Sequence, residues 1–310
     1  MKLTRREFIQ WLSGLGTVLV SGTVSANKNL PQQYKQYKKV IPSTGELLPM
    51  IGLGSWLTFG IDPADSSEMR QREAVMREFF TRGGGVLDSS PMYGNAEQVI
   101  GQLLKRIERH NNLFSATKVW THGYRQGFLQ MEHSRLLWGL PRFDLMQIHN
   151  LMDWETHLPT LRTMKEEGVI RYIGVTTSHG RRHEELVKIM KKEKLDFVQV
   201  TYNLLDREVE QTILPMAEDK GIAVIINRPF QRGGLFDYVS GHSLPEWASD
   251  IDCNNWAQLF LKFIISHPSV TCAIPATSRV EHIQENMGAS YGSMPDQAMR
   301  KRMIKFIQEI

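Results

Sequence analysis

Residues 83–93 read Gly83-Gly84-Gly85-Val86-Leu87-Asp88-Ser89-Ser90-Pro91-Met92-Tyr93. Three glycines lead into an apolar pair. An acid, two serines, a proline and a tyrosine follow it. Such a segment predicts a short buried strand that opens into a polar loop. Two other stretches repeat the plan: LFSATKV (113–119) ends on the lone Lys118, and FDLMQIHN (143–150) ends at His149. Each brings an ionisable side chain to the end of a strand. A parallel α/β barrel builds its site in this way, on its C-terminal face.

On either side of these stretches, strand-like and helical segments alternate along the chain. The strands are expected at 50–53, 86–88, 114–118, 145–149, 172–175, 198–201, 223–226 and 272–274. Helices are expected between them, for example at 74–84, 128–140, 157–168, 183–193 and 208–221, with Gly84, Gly168 and Gly221 where C-caps belong. Eight such units predict an α/β fold closed into a (β/α)8 TIM barrel rather than an open sheet. In VIPSTGELLPMIGL (40–53) a Ser-Thr-Gly turn signal between apolar runs predicts an N-terminal β-hairpin.

The chain has 310 residues, 41% hydrophobic and 23% charged, which suits one soluble globular domain over 40–310. It has two cysteines; Cys272 lies in the apolar run SVTCAIP and is expected to be a buried free thiol, not part of a disulfide framework. The formal charge is +4, of which the first 26 residues contribute about +2. The one basic tract, KIMKKEK (188–194), reads as a solvated helix face, so nucleic-acid binding has no support.

Residues 1–26 stand apart from the fold. TRREFIQ (4–10) carries twin arginines, a weakly apolar Gly/Ser-rich run follows, and Val24-Ser25-Ala26 offers a small-residue cleavage site. This resembles a twin-arginine signal peptide, with export through the twin-arginine (Tat) machinery to the periplasm or beyond; an unused signal would leave the protein cytoplasmic. The apolar run is too short and interrupted for a stable membrane span. Residues 27–39 read as a polar tether.

Asp88, Tyr93, Lys118 and His149 make chemical sense together. An ammonium beside a tyrosine lowers a pKa that is ordinarily about 10. An aspartate would hold that ammonium in place, and a neutral imidazole could orient a carbonyl oxygen. Taken singly, each has a blander reading: a solvated charge, a turn acid, a structural histidine. Their common placement at strand ends favours the joint one. Gly52 and Gly54 lack the third glycine of a dinucleotide loop, His179 and His183 lack a third metal ligand, and no Gly-x-Ser-x-Gly is present. No metal is therefore expected.

From about 40 to 289 the chain resembles the aldo-keto reductases, on the stretches LPMIGLGSW, LDSSPMYGNAEQVIG, TKVW, DLMQIHN, RYIGV, FVQVTYN and IPATSRVEHIQEN. The resemblance implies a hairpin-floored barrel and an Asp88, Tyr93, Lys118, His149 quartet that reduces small aldehydes or ketones to alcohols. It implies a nicotinamide site at Thr176, Thr177 and Gln199. Thr176 and Thr177 stand where the family has Ser-Asn. Asn227 stands where an aromatic residue usually stacks on the nicotinamide, and Arg228 beside it supplies a flat face or a phosphate contact. Thr277 and His282 would face the 2′-phosphate, Glu285 and Asn286 the adenine. Ala276 replaces a common basic residue, and Arg279 could supply the missing charge. NADP(H) is accordingly favoured, with NAD(H) as the other choice. Trp56 and Trp120 would wall the carbonyl pocket. The short C-terminus implies an open pocket with broad substrate use. A rival expectation is a nicotinamide-sensing partner subunit with little turnover.

Overall fold

A computed structural model describes residues 35–107 and 110–310. Residues 1–26, read above as a signal peptide, and residues 27–34 of the segment read as tether lie outside these. Strand β1 (Lys38–Val40) pairs antiparallel with β2 (Leu47–Pro49), Lys38 opposite Pro49. The hairpin thus starts within the segment read as tether, and Tyr37 N–H is already bonded to Ser290 O at 2.9 Å. Ile41 and Leu48 pack with Val86, Phe114, Tyr172 and Phe197, which places the hairpin against the inner core of the barrel.

Eight strands follow, every neighbouring pair parallel: β3 (Leu53–Gly54), β4 (Val86–Asp88), β5 (Phe114–Val119), β6 (Phe143–Ile148), β7 (Ile170–Thr176), β8 (Phe197–Thr201), β9 (Ala223–Asn227) and β10 (Cys272–Ala273). The sheet closes on itself through the bridges Ile51↔Ala273 and Gly54↔Ala276. Across this seam Gly52 N–H donates to Ala273 O at 2.8 Å, and Gly54 N–H to Pro275 O at 3.0 Å. A Cβ at Gly52 would meet Val86 O at 2.8 Å, and one at Gly54 would meet Ile274 O at 2.8 Å. These two glycines therefore serve barrel closure: only a residue without a side chain lets the strands approach so near.

Strand alternation divides the side chains into two cores. Val86 on β4, Phe114 and Ala116 on β5, and Leu145 on β6 face the barrel interior. Leu87, Val119, Met146 and Ile148 face the surrounding helices. The same period of two sends Asp88, Lys118 and Gln147 inward, one step further along their strands. There the hydrocarbon filling gives way to polar groups.

The helices are α1 (Ser66–Thr81), α2 (Ala96–Leu104), α3 (Tyr124–Trp138), α4 (Trp154–Glu166), α5 (His183–Lys192), α6 (Ile213–Asp219), α7 (Gly234–Tyr238), α8 (Trp256–Ile265), α9 (Val280–Gly288) and α10 (Gln297–Glu309). Three differences from the sequence reading have local causes. Helix α1 begins eight residues before the expected 74, because Asp65 caps it by accepting from Ser67 and Glu68 N–H. The expected helix over 208–221 divides into a 3-10 turn (Glu208–Glu210) and α6. Pro215 lacks an N–H and is tolerated in the first turn of α6, where that N–H has no partner. After α1 the left-handed residue is Gly83 (φ 78°) rather than Gly84, which lies against the Phe79 ring. Gly168 and Gly221 are left-handed as expected (φ 74° and 65°). Cys253 and Cys272 are both free and buried.

Candidate active site

At the C-terminal ends of the strands Lys118 is fully enclosed, its Nζ 2.5 Å from Asp88 Oδ1 and 2.8 Å from Ser89 O. The second aspartate oxygen accepts from Gln147 Nε2 at 3.1 Å and Gln199 Nε2 at 3.0 Å. The buried carboxylate is thus held by one cation and two amides, as a buried charge requires. Burial alone would favour the neutral amine; Asp88, with Tyr93 and Glu97 adding to it, outweighs burial and holds Lys118 above its ordinary pKa.

Tyr93 stands at the end of the Asp88–Tyr93 loop with Lys118 Nζ 5.3 Å from its ring centroid. His149 meets that ring edge-on at 5.7 Å, and Trp56 and Trp120 lie beyond at 6.3 Å from Tyr93 and 6.4 Å from His149. Burial and the positive charge of Lys118 keep the imidazole neutral, its pKa lowered to about 3. For Tyr93 the sequence expectation needs correcting. Lys118 does pull the phenol pKa down, but burial pushes harder, and the net direction is up. Enclosure is a property of the fold and was not readable from the four residue types.

A cavity of about 1100 Å³ opens over these groups. It is lined by Asp88, Tyr93 and His149, by Trp56 and Trp120, by Thr176, Thr177, Gln199, Asn227 and Arg228, and by Thr277, His282, Glu285 and Asn286. Lys118 lies beneath it. Arg279 is the departure: it stands outside the lining, its guanidinium exposed and 3.7 Å from Glu281.

Several of the lining residues already have protein partners. Gln199 spends its amide N–H groups on Asp88 and on Gln147 Oε1 at 3.3 Å. Asn227 is tied down, donating to Thr177 O at 2.9 Å and accepting from Thr201 Oγ1 at 2.7 Å. Thr176 Oγ1 accepts from Asn150 N–H at 3.0 Å. Thr177 Oγ1, by contrast, is buried without a protein partner. Arg228 turns toward the His179 ring, with which it is hydrogen-bonded. Arg232 stacks over Trp56 at 4.6 Å. Among the described residues no carboxylate is within ion-pair distance of Arg181, Arg228 or Arg232. Burial and the other two arginines hold the Arg228 guanidinium below its usual pKa. Positive charge without a close ion-pair partner on one wall suits a polyanion.

The rim is strained. Among the described residues, eight of the ten non-glycine positions with left-handed backbone line this cavity, Leu57 (φ 61°), Leu151 (φ 54°) and Arg228 (φ 50°) among them.

Sequence reasoning missed Gln147, although it lies two residues before His149 on the same strand face. It also missed Ser90, whose Oγ is 2.9 Å from His149 Nδ1. Glu97 on α2 escaped too. It is buried behind Lys118 and accepts from Thr117 Oγ1 (2.5 Å), Ser134 Oγ (2.7 Å) and Trp138 Nε1 (3.2 Å).

Comparison with known proteins agrees with the fold. The model of the aldo/keto reductase family matches residues 50–302. Methylglyoxal reductase YeaE of Escherichia coli (strain K12) is 26% identical over 255 residues, spanning 80% of this chain and 88% of that protein. The NADH-specific methylglyoxal reductase of the same organism is 27% identical over 244 residues, or 66% of this chain and 72% of that one. A crystal structure of an aldo-keto reductase from Klebsiella pneumoniae in complex with NADPH superposes with a TM-score of 0.72 at 24% identity, covering 87% of this chain and 95% of the other.

Proposed function

The chain belongs to the aldo/keto reductase family and is an NAD(P)H-dependent oxidoreductase, and from that premise we propose that it reduces small aldehydes or ketones with NADP(H), Tyr93 supplying the proton. The observation that carries the reading is the enclosed Lys118–Asp88 pair beneath Tyr93, with a neutral imidazole edge-on to the phenol.

The cavity has donors suited to a nicotinamide dinucleotide. The unpartnered Thr177 hydroxyl would meet the carboxamide. Arg181, Arg228 and Arg232 would take up the negative charge of the phosphates, and Thr277, His282, Glu285 and Asn286 would flank the nucleotide. When bound, the cofactor supplies the hydride. The protein's own groups do the rest. Trp56 and Trp120 confine the carbonyl carbon, and His149 orients the carbonyl oxygen. Tyr93 Oη then gives its proton to that oxygen as charge develops on it. Lys118 limits the rise in the phenol pKa, and Asp88, clamped by Gln147 and Gln199, fixes Lys118.

NADP(H) as the preferred carrier is supported by the NADPH complex of the Klebsiella protein; the NADH-specific relative marks the other outcome. Titrating both cofactors by fluorescence quenching decides between them.

The central test is Tyr93→Phe. With methylglyoxal or simple aldehydes the variant should oxidise NADPH roughly 10²–10⁴-fold more slowly, with its cofactor affinity retained. Turnover equal to the parent's would refute the mechanism, and a parent with no turnover on any carbonyl would favour a sensing subunit. We also propose export through the twin-arginine route, supported by Arg5-Arg6-Glu7-Phe8 and Val24-Ser25-Ala26. Replacing Arg5 and Arg6 with Lys should leave folded, active, unprocessed protein in the cytoplasm; processing equal to the parent's would rule the route out.

A further inference from the structure

We infer that Ser90 is a positioning residue that holds His149 in its Nε2–H tautomer, so that the imidazole presents a donor, not a lone pair, to the carbonyl oxygen. The inference deepens the proposed function and rests on its role for His149; the tautomer itself does not depend on that role.

The argument is a proton count. Ser90 is fully buried. Its Oγ has one hydrogen and two lone pairs. One lone pair is taken by Met92 N–H, 3.2 Å away, which can only donate. The other partner of Oγ is His149 Nδ1, at 2.9 Å. If Nδ1 carried the ring proton, Oγ would receive two donors. Its own buried hydrogen would then have no acceptor among the described residues, which is a costly state. If Nδ1 is bare, the hydroxyl donates to it and every group in the set is satisfied. The ring proton then sits on Nε2, the nitrogen without a protein partner, on a side chain that lines the cavity.

The surroundings favour the same state. His149 is buried beside the fully enclosed Lys118, which disfavours a doubly protonated ring. The Tyr93 and Trp120 rings pack against the imidazole and resist the ring flip that would exchange its nitrogens. The same Asp88–Tyr93 loop thus carries both the proton donor and, three residues earlier, the hydroxyl that sets the second donor.

The test uses the full-length enzyme labelled with ¹⁵N at histidine. Long-range proton–nitrogen spectra distinguish the two neutral tautomers, and His149→Asn identifies the His149 signals by their loss. The parent should show Nε2–H. Ser90→Ala should move His149 toward Nδ1–H or a mixture, and lower kcat/KM for aldehydes by about tenfold, with the NADPH dissociation constant unchanged. Ser90→Thr, which restores a hydroxyl, should recover both. A parent showing Nδ1–H overturns the inference even if no variant folds. Ser90→Ala that keeps Nε2–H overturns it too, whatever its rate, and so does a shifted tautomer with undiminished kcat/KM. If Tyr93→Phe proves fully active, the reading of the reaction fails, yet the spectra still decide the tautomer.

Discussion

Replacing Lys118 with Met should damage stability and catalysis through separable causes. The side chain is fully buried, and its ammonium is the cationic partner of Asp88, 2.5 Å away. Without it Asp88 Oδ1 has no donor, and a carboxylate only 2% exposed is left with two glutamine amides on its other oxygen. Stripping one partner from a buried ion pair costs roughly 3–5 kcal/mol, which in a barrel of this size lowers Tm by roughly 6–15 °C. The rate should fall roughly 10²–10⁴-fold as well, because the cation that opposes the effect of burial on Tyr93 is gone. Adding Asp88→Asn removes the orphaned charge and leaves an oxygen for Gln147 and Gln199. The double variant should therefore regain most of the Tm and none of the rate. Thermal unfolding, together with NADPH oxidation on a simple aldehyde, reads both quantities. A single variant within about 1 kcal/mol of the parent would refute the account of the pair, and a double variant with restored turnover would refute the role of Lys118.

Three further outcomes follow from the site. Because burial holds the Tyr93 proton above the ordinary tyrosine range, carbonyl reduction should stay flat through neutral pH and decline only above about 10; an alkaline limb centred below pH 9 in the kcat profile would contradict this. His149 has a folded pKa of about 3, below its unfolded value of 6.5. The unfolded state therefore binds more protons, and stability should fall as pH drops from about 6.5 toward 3. His149→Asn should flatten that fall by a few kcal/mol at most, as urea midpoints across the range would show. Thr177→Val removes a buried hydroxyl that has no protein partner, so Tm should hold or rise slightly. Cofactor affinity should drop about fivefold, the worth of one hydrogen bond; unchanged affinity would remove Thr177 from the cofactor site.

What was legible in the sequence was what strand periodicity transmits. Asp88, Lys118 and His149 could be placed because each ends an apolar run, and inward alternation takes them to one face. Gln147 shares the same period and was still missed, because a glutamine carries no signal of its own two residues before a histidine. The purpose of Gly52 and Gly54 was hidden because it depends on contact with Ile274, more than 200 residues away. Ser90 gains its meaning from His149, 59 residues on. The pKa of Tyr93 depends on enclosure by elements scattered along the chain, so a charge argument made from Lys118 alone had the sign of that effect right and missed the larger, opposite effect of burial. Helix starts were read late where a cap such as Asp65 precedes the apolar pattern.

The left-handed residues around the cavity bear on how the molecule opens. Each such conformation costs on the order of 1 kcal/mol or more, and the cost is gathered at one end of a barrel whose strands and inner core carry no comparable burden. The rim should therefore have the smallest local unfolding free energy in the fold. In native-state hydrogen exchange the amides of 149–153, 179–182 and 228–233 should exchange through sub-global openings while those of β5 to β8 wait for global unfolding. A ligand spanning these loops would draw its apparent affinity down by the work of ordering them, and in return would raise their protection more than that of any strand. Substrate range in such a molecule can drift by substitutions in the rim without disturbing Asp88, Lys118 or the strands that hold them.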